Sequence, residues 1–143
     1  MAYSDRHLYM SENLDLTNIT ADIVIFAPLN RIQVHKVAIW IGTAGTDGLV
    51  TVTFQKTVGG TAGTDTTIAA VIVDERAANA NQDAGDIVYA EVTTPIIINP
   101  GDKVNLNVPA ETSGTAPAVT RALLEYSILD VDLDEVSTAI QTA

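Results

Sequence analysis

Short segments in which apolar and polar residues alternate one by one run through most of this chain. Val50, Val52 and Phe54 alternate with Thr51, Thr53 and Gln55, and Val104, Leu106 and Val108 alternate with Lys103, Asn105 and Asn107. Leu124, Tyr126 and Ile128 do the same against Glu125 and Ser127, as do Val88, Ala90 and Val92 against Tyr89 and Glu91. A period of two places alternate side chains on one face of an extended chain, so each segment predicts a strand with one face buried. Residues 22–28, 31–42, 66–73 and 95–99 bring the expectation to about eight strands. That pattern predicts an all-β fold, a two-sheet antiparallel sandwich of jelly-roll-like type spanning residues 21–130. Alternation is weak over residues 1–20 and 131–143, which are expected to be an extended N-terminal arm and an acidic C-terminal arm that order on a partner.

Turn chemistry refines the picture. All five prolines (Pro28, Pro95, Pro100, Pro109 and Pro117) fall at expected strand ends or in loops, where a missing N–H breaks no ladder. In Asn99-Pro100-Gly101-Asp102 the proline presets φ and Gly101 accepts the positive φ of a type II turn. Residues 95–99 and 103–109 are therefore expected to be antiparallel neighbours in sequence. Residues 34–57 read as a hairpin, with VHKVAIWIGTA and LVTVTFQKT flanking a Gly-Thr-Asp turn. Within 31–42 the inward set changes parity, from Ile32 and Val34 to Val37, Ile39 and Ile41. Either a β-bulge at His35-Lys36 or burial on both faces near Trp40 accounts for that. The sequence GTAGTD occurs at 42–47 and again at 60–65, and two loops that each need Gly, Thr and Asp explain it without a repeat architecture. Residues 74–86 (DERAANANQDAGD) suit a surface loop or a single helical turn.

Composition excludes several function classes. The chain has 143 residues, enough for one domain with a real core, and no cysteine, so disulfides, thiolate metal sites and cysteine nucleophiles are ruled out. Its net charge of −11 comes from 18 acidic against 7 scattered basic residues, which disfavours binding to a phosphate backbone. The apolar runs are far shorter than the ~18 residues of a spanning helix. No signal peptide is expected, because Asp5, Arg6 and His7 stand where an apolar core is required.

Candidate chemistry is sparse, and an enzyme is not expected. His7 and His35 lack companion ligands at metal-site spacing. Asp130, Asp132 and Asp134 begin like a calcium loop, but Glu135 and Gln141 occupy the positions that require glycine and glutamate. Their alternate spacing puts three carboxylates on one side of an extended chain, as a solvated edge or as a contact for a basic patch on a partner. Asp74-Glu75 and Asp83/Asp86 are paired carboxylates without the aromatic platform of a sugar site, and no Gly-x-Ser-x-Gly elbow occurs. Trp40, Phe54 and Tyr126, lying in alternating strands, are expected in the core.

The succession VHKVAIWIGTAGTDGLVTVTFQK, then TTPIIINPGDKVNLNV, then TSGTAPAVTRALLEYSIL resembles the small jelly-roll domains of tailed-phage virion proteins, among them head decoration and head-fibre proteins. The shared pattern is Ile-Gly-Thr-Ala ending a strand (41–44), an alternating Val/Phe strand (50–54), Pro-Gly-Asp (100–102) before Val-x-Leu-x-Val (104–108), and a closing strand (122–129). The resemblance implies a viral structural protein without a cofactor, often trimeric, bound to the major capsid protein on the outer surface of the virion as a decoration or cement protein. Contact would run through the N-terminal arm around Leu8, Tyr9, Leu14 and Leu16, an arm separable from the sandwich, and through Asp130, Asp132 and Asp134. A receptor- or glycan-binding module of a tail or head fibre, using the Gly/Thr-rich loops, is the alternative. Neither nucleic acid nor a membrane is an expected partner.

Overall fold

The computed structural model describes residues 6–17, 22–59, 65–76, 83–109 and 113–129. Nine strands lie within them: β1 (Arg6–Met10), β2 (Ile23–Phe26), β3 (Ile32–Thr43), β4 (Thr46–Thr57), β5 (Asp65–Asp74), β6 (Ile87–Ile98), β7 (Lys103–Asn107), β8 (Ser113–Thr115) and β9 (Val119–Ile128). One sheet has the order β1-β9-β3-β6, and the other the order β2-β7-β4-β5 with β8 also on β4. Every pairing is antiparallel. The fold is the expected all-β, jelly-roll-like sandwich.

The core lies between the sheets and is filled by the residues the alternation singled out. Val50, Val52 and Phe54 of β4 and Val104 and Leu106 of β7 meet Val37, Ile39 and Ile41 of β3 and Leu124 of β9, all buried. Each large side chain of this set contributes roughly 1.5–3 kcal/mol by leaving water. The parity change in β3 is a bulge: its register against both β6 and β9 slips between Val34 and Lys36. His35 sits at the slip, with Nε2 2.7 Å from Ser127 Oγ.

Pairing departs from expectation in three places. β3 and β4 form no hairpin, because they belong to different sheets and Ala44-Gly45 carries the chain across the edge of the sandwich. The crossing is tight. A Cβ on Gly45 would lie 1.9 Å from the Thr115 carbonyl oxygen, and Gly45 N donates to Glu75 Oε2 at 2.8 Å. The hairpin is instead β4–β5, from Leu49 opposite Asp74 to Thr57 opposite Asp65. Residues 60–64 of its loop, all of the second GTAGTD copy but Asp65, lie outside the described residues.

The segments 88–92 and 95–99 are one strand, β6. Val34 pairs with Ile96 while Lys36 pairs with Glu91, so the residues around Pro95 drop out of the ladder. An edge strand tolerates this, since one row of its N–H groups is unpaired in any case. The turn at 99–102 has the expected form, with Gly101 at φ 94° and Asp102 N donating to Asn99 O at 3.0 Å, but it joins β6 and β7 across the two sheets rather than pairing them.

Residues 6–17 are built into the sandwich rather than forming a separable arm. β1 pairs with β9 from Arg6–Ser127 to Met10–Leu123. Beyond it, Leu14 and Thr120 exchange backbone hydrogen bonds at 2.7 and 3.0 Å, and Leu16 is 3% exposed in the core. Tyr9 turns inward, donating its hydroxyl to Ile25 O at 2.6 Å and stacking on Phe26. A five-residue strand followed by a single bridge is too short to register as periodicity, which is why this segment read as an arm. Residues 1–5, 18–21, 77–82 and 130–143 lie outside the described residues, and with them much of the expected loop at 74–86 and the acidic C-terminal segment.

Candidate functional site

The two outer faces of the sandwich differ in kind. On the five-stranded sheet, the inward turn of Val50, Val52 and Phe54 leaves Thr51, Thr53 and Gln55 outward, beside Asn105 and Asn107 of β7. This face is mainly polar, with Val24 and Ile72 as its exposed apolar residues at separate positions opposite Asn105 and Thr51. On the four-stranded sheet the inward set Val37, Ile39 and Ile41 leaves Lys36, Ala38 and Trp40 outward, and the strand register assembles their neighbours into rows.

The middle row crosses all four strands: Met10 of β1 opposite Leu123 of β9, Leu123 opposite Ala38 of β3, and Ala38 opposite Tyr89 of β6. Every member is apolar or aromatic, and Tyr89 is 60% and Met10 47% exposed. On one side runs Arg121, Trp40 and Ile87, the last 55% exposed. On the other side runs Leu8, Glu125, Lys36 and Glu91, with Leu8 64% exposed. Directly opposed residues of an antiparallel pair share a face, so these rows form one surface. It is indented by two shallow depressions of about 250 and 270 Å³ that share Ile87 and Leu123 in their walls.

The electrostatics of this face also set it apart. Arg6, Lys36 and Arg121, three of the chain's seven cations, stand here against Glu91 and Glu125, on a molecule whose net charge is −11. Arg6 pairs with Glu125, and Lys36 lies 3.2 Å from Glu91 and 4.7 Å from the centre of the Tyr89 ring. Arg121 donates to Asn13 Oδ1 at 3.0 Å and approaches Met10 Sδ. Arginine and tryptophan are the side chains that anchor protein interfaces most strongly when desolvated. The arrangement offers apolar surface to be covered, framed by charges that set orientation.

The residues expected to make contact separate accordingly. Leu8 lies on this face. Tyr9 and Leu16 face the interior, and half-buried Leu14 is held by its bridge to Thr120. Asp130, Asp132 and Asp134 lie outside the described residues. Trp40 is not a core residue as expected, whereas Phe54 is fully buried and Tyr126 packs partly against the core. Its outward position was legible: once Val37, Ile39 and Ile41 point in, an even-numbered neighbour points out. Met10, Ile87, Tyr89 and Arg121 carried no sequence signal, because only register brings them together.

Elsewhere His7, His35 and Glu75 have local structural partners. His7 stacks on Tyr126. Burial pushes the pKa of His35 down, and the nearby Arg6 charge adds to this against the opposing pull of Glu125. Burial pushes the Glu75 carboxyl up, the Gly45 amide draws it back in part, and the Asp83 charge raises it further. Among the described residues no group of three or more His, Asp or Glu is placed to hold a metal ion, and no helix is long and apolar enough to cross a membrane.

No protein-family model matches the chain, and no curated protein matches it. Among solved structures it is similar to the Eiger TNF from S. frugiperda, at 11% identity and a TM-score of 0.38 over 79% of this chain and 68% of that one. It is also similar to a chain of the infectious bursal disease virus Gx strain, at 13% identity and a TM-score of 0.29, over 90% of this chain and 38% of the viral one. Neither likeness is strong enough to bear on function.

Proposed function

We propose that this chain is a viral structural protein, a decoration or cement protein that binds the major capsid protein of an assembled tailed-phage head on its outer surface and stabilises the shell. The observation that carries the reading is the apolar outer face of the four-stranded sheet. A sheet face that presents Met10, Trp40, Ile87 and Tyr89 together is suited to lasting contact with another protein surface. The resemblance of residues 22–130 to virion jelly rolls supplies the shell as the setting. An excess of acidic charge keeps free copies apart before assembly. Stabilisation would follow from linkage: a protein that binds only the assembled, expanded shell favours that state by mass action, more strongly as sites fill.

The test is to add the purified full chain to undecorated heads, then measure co-sedimentation and the temperature at which heads open. Saturable binding with a raised opening temperature is expected. No binding overturns the proposal, and saturable binding to host cells or to a glycan instead would transfer the chain to a fibre-tip role.

A further inference from the structure

We propose that the outer face of the four-stranded sheet takes a segment of the partner protein in which large apolar side chains stand next to an aspartate or glutamate, with that carboxylate seated on Arg121. This rests on reading the face as a protein-docking surface and names the chemistry of what docks there. Charge balance carries it. Arg6 pairs with Glu125 and Lys36 with Glu91, so both carboxylates of the face are already matched within the chain. Arg121 forms no ion pair among the described residues. On a molecule of net charge −11, the charge this face leaves unmatched among the described residues is therefore positive.

The guanidinium is held ready for such a contact. Its Nε donates to Asn13 Oδ1 at 3.0 Å, and its Nη1 lies 3.5 Å from Met10 Sδ, both uncharged. These contacts leave Nη2 and one N–H of Nη1, the pair that a carboxylate can accept end-on. Arg121 stands opposite Trp40 in the ladder and Trp40 opposite Ile87, and with Met10 and Leu123 they line the depression of about 250 Å³. The neighbouring depression, of about 270 Å³, extends over Ala38 toward Leu8 and Tyr89. Each is smaller than the roughly 300–1,000 Å³ of a small-molecule pocket, so each suits a single anchor side chain. Successive rows of the sheet are two residues, roughly 7 Å, apart along the strands, which sets the spacing of the two anchors. The carboxylate belongs beside the first depression, because Arg121 stands in its wall and Glu125 in the wall of the second. A basic segment would meet Arg121 unopposed, and a neutral one would cover the guanidinium without an opposite charge.

The first arm of the experiment needs no shell. The full chain is titrated with N-acetyl-Glu-Phe-Glu-amide and with its Gln-Phe-Gln counterpart. Binding is followed by the indole N–H resonance and the emission of Trp40, the single tryptophan. Ionic strength is held near 0.15 M, where a Debye length of about 8 Å screens the remote acidic charge of the chain and leaves contact at Arg121 effective. Half-saturation near about 1 mM is expected for the acidic peptide, as for a short flexible ligand. The neutral peptide should bind about three- to fivefold more weakly, the scale of a partly exposed ion pair. Arg121→Gln should erase that preference, and Arg121→Lys, which keeps the charge, should retain part of it. Far-ultraviolet circular dichroism shows whether each variant stays folded.

The second arm uses undecorated heads. Arg121→Glu should weaken binding by at least about tenfold, the scale of losing one interface anchor. Lys103→Glu, the same change of charge at an exposed position on the other sheet, should leave binding unchanged. Equal binding of the two peptides, no response of Trp40 to either at about 10 mM, or heads that hold Arg121→Glu as tightly as wild type would overturn the proposal. A preference for the acidic peptide that runs through Arg121, in a chain that binds no heads, would remove the shell as the partner and uphold the site.

Discussion

Replacing Asp102 with alanine should cost the sandwich about 3 kcal/mol, taking about 1.5 kcal/mol for each backbone hydrogen bond to a charged acceptor. The carboxylate is 7% exposed at the corner where β6 turns into β7. It accepts from Asn99 N at 3.1 Å and Gly59 N at 3.3 Å, and Lys56 Nζ stands 3.6 Å away while donating to Ile97 O. One side chain thus ties the crossing turn to the end of β4. Losing the Lys56 pair adds a little, and relief from burying a charge removes a comparable amount, so the two amide bonds set the figure. For a chain of this length about 3 kcal/mol lowers the melting temperature by roughly 10 °C. Urea unfolding with an unchanged m-value is the assay. The pH dependence is a second check. Burial pushes this carboxyl up, but the amides of Asn99 and Gly59 with Lys56 outweigh that and hold it below its usual value. A carboxyl lowered on folding stabilises fully above its unfolded value, and that contribution fades as pH falls through the folded one. The gap between wild type and variant should therefore close in acid. A loss below about 1 kcal/mol at neutral pH, or a gap that persists undiminished in strong acid, would refute the reasoning, since the charged acceptor is worth more than that.

Glu75 should behave in the opposite sense. Its carboxyl is raised on folding, so its stabilising contribution is complete below the unfolded value and is lost as pH rises through the folded one. Glu75→Gln, which still accepts from Gly45 N, should be at least as stable as wild type at neutral pH and show a flatter melting-temperature profile between acid and neutral pH. Gly45→Ala should destabilise by about 2–3 kcal/mol in urea unfolding, because the new methyl meets a backbone oxygen that has no rotamer to escape into. Leu16→Ala should cost about 2–4 kcal/mol, as for a large core residue. An effect near zero in calorimetry would restore the separable arm.

Much of the fold was legible along the chain because a period of two is a local property. Val50, Val52 and Phe54, or Val104 and Leu106, declare which side of a strand is buried without reference to a partner. The same locality explains the bulge at His35, recorded as a change of parity, and the turn at Asn99-Pro100-Gly101-Asp102, recorded as φ preferences. Of the candidate face, Leu8 was identified as a contact residue, and the outward turn of Trp40 was implicit in the parity of β3.

Partnership between strands is a different kind of information. Alternation gives a strand two faces but no address, so β3 and β4 read as a hairpin although the chain crosses between sheets at Gly45, where backbone contacts with Thr115 are made by residues far apart in sequence. β1 was invisible for the same reason: its stability comes from β9, more than a hundred residues away, and from the Tyr9 hydroxyl on Ile25 O rather than from its own pattern. The sequence by itself determined an all-β sandwich, the inward residues of its alternating strands, and an acidic, cysteine-free composition. Only the tertiary structure decided which strands pair and that Met10, Leu123, Ala38 and Tyr89 share one row, because a surface made of single residues from four strands exists only once register is set.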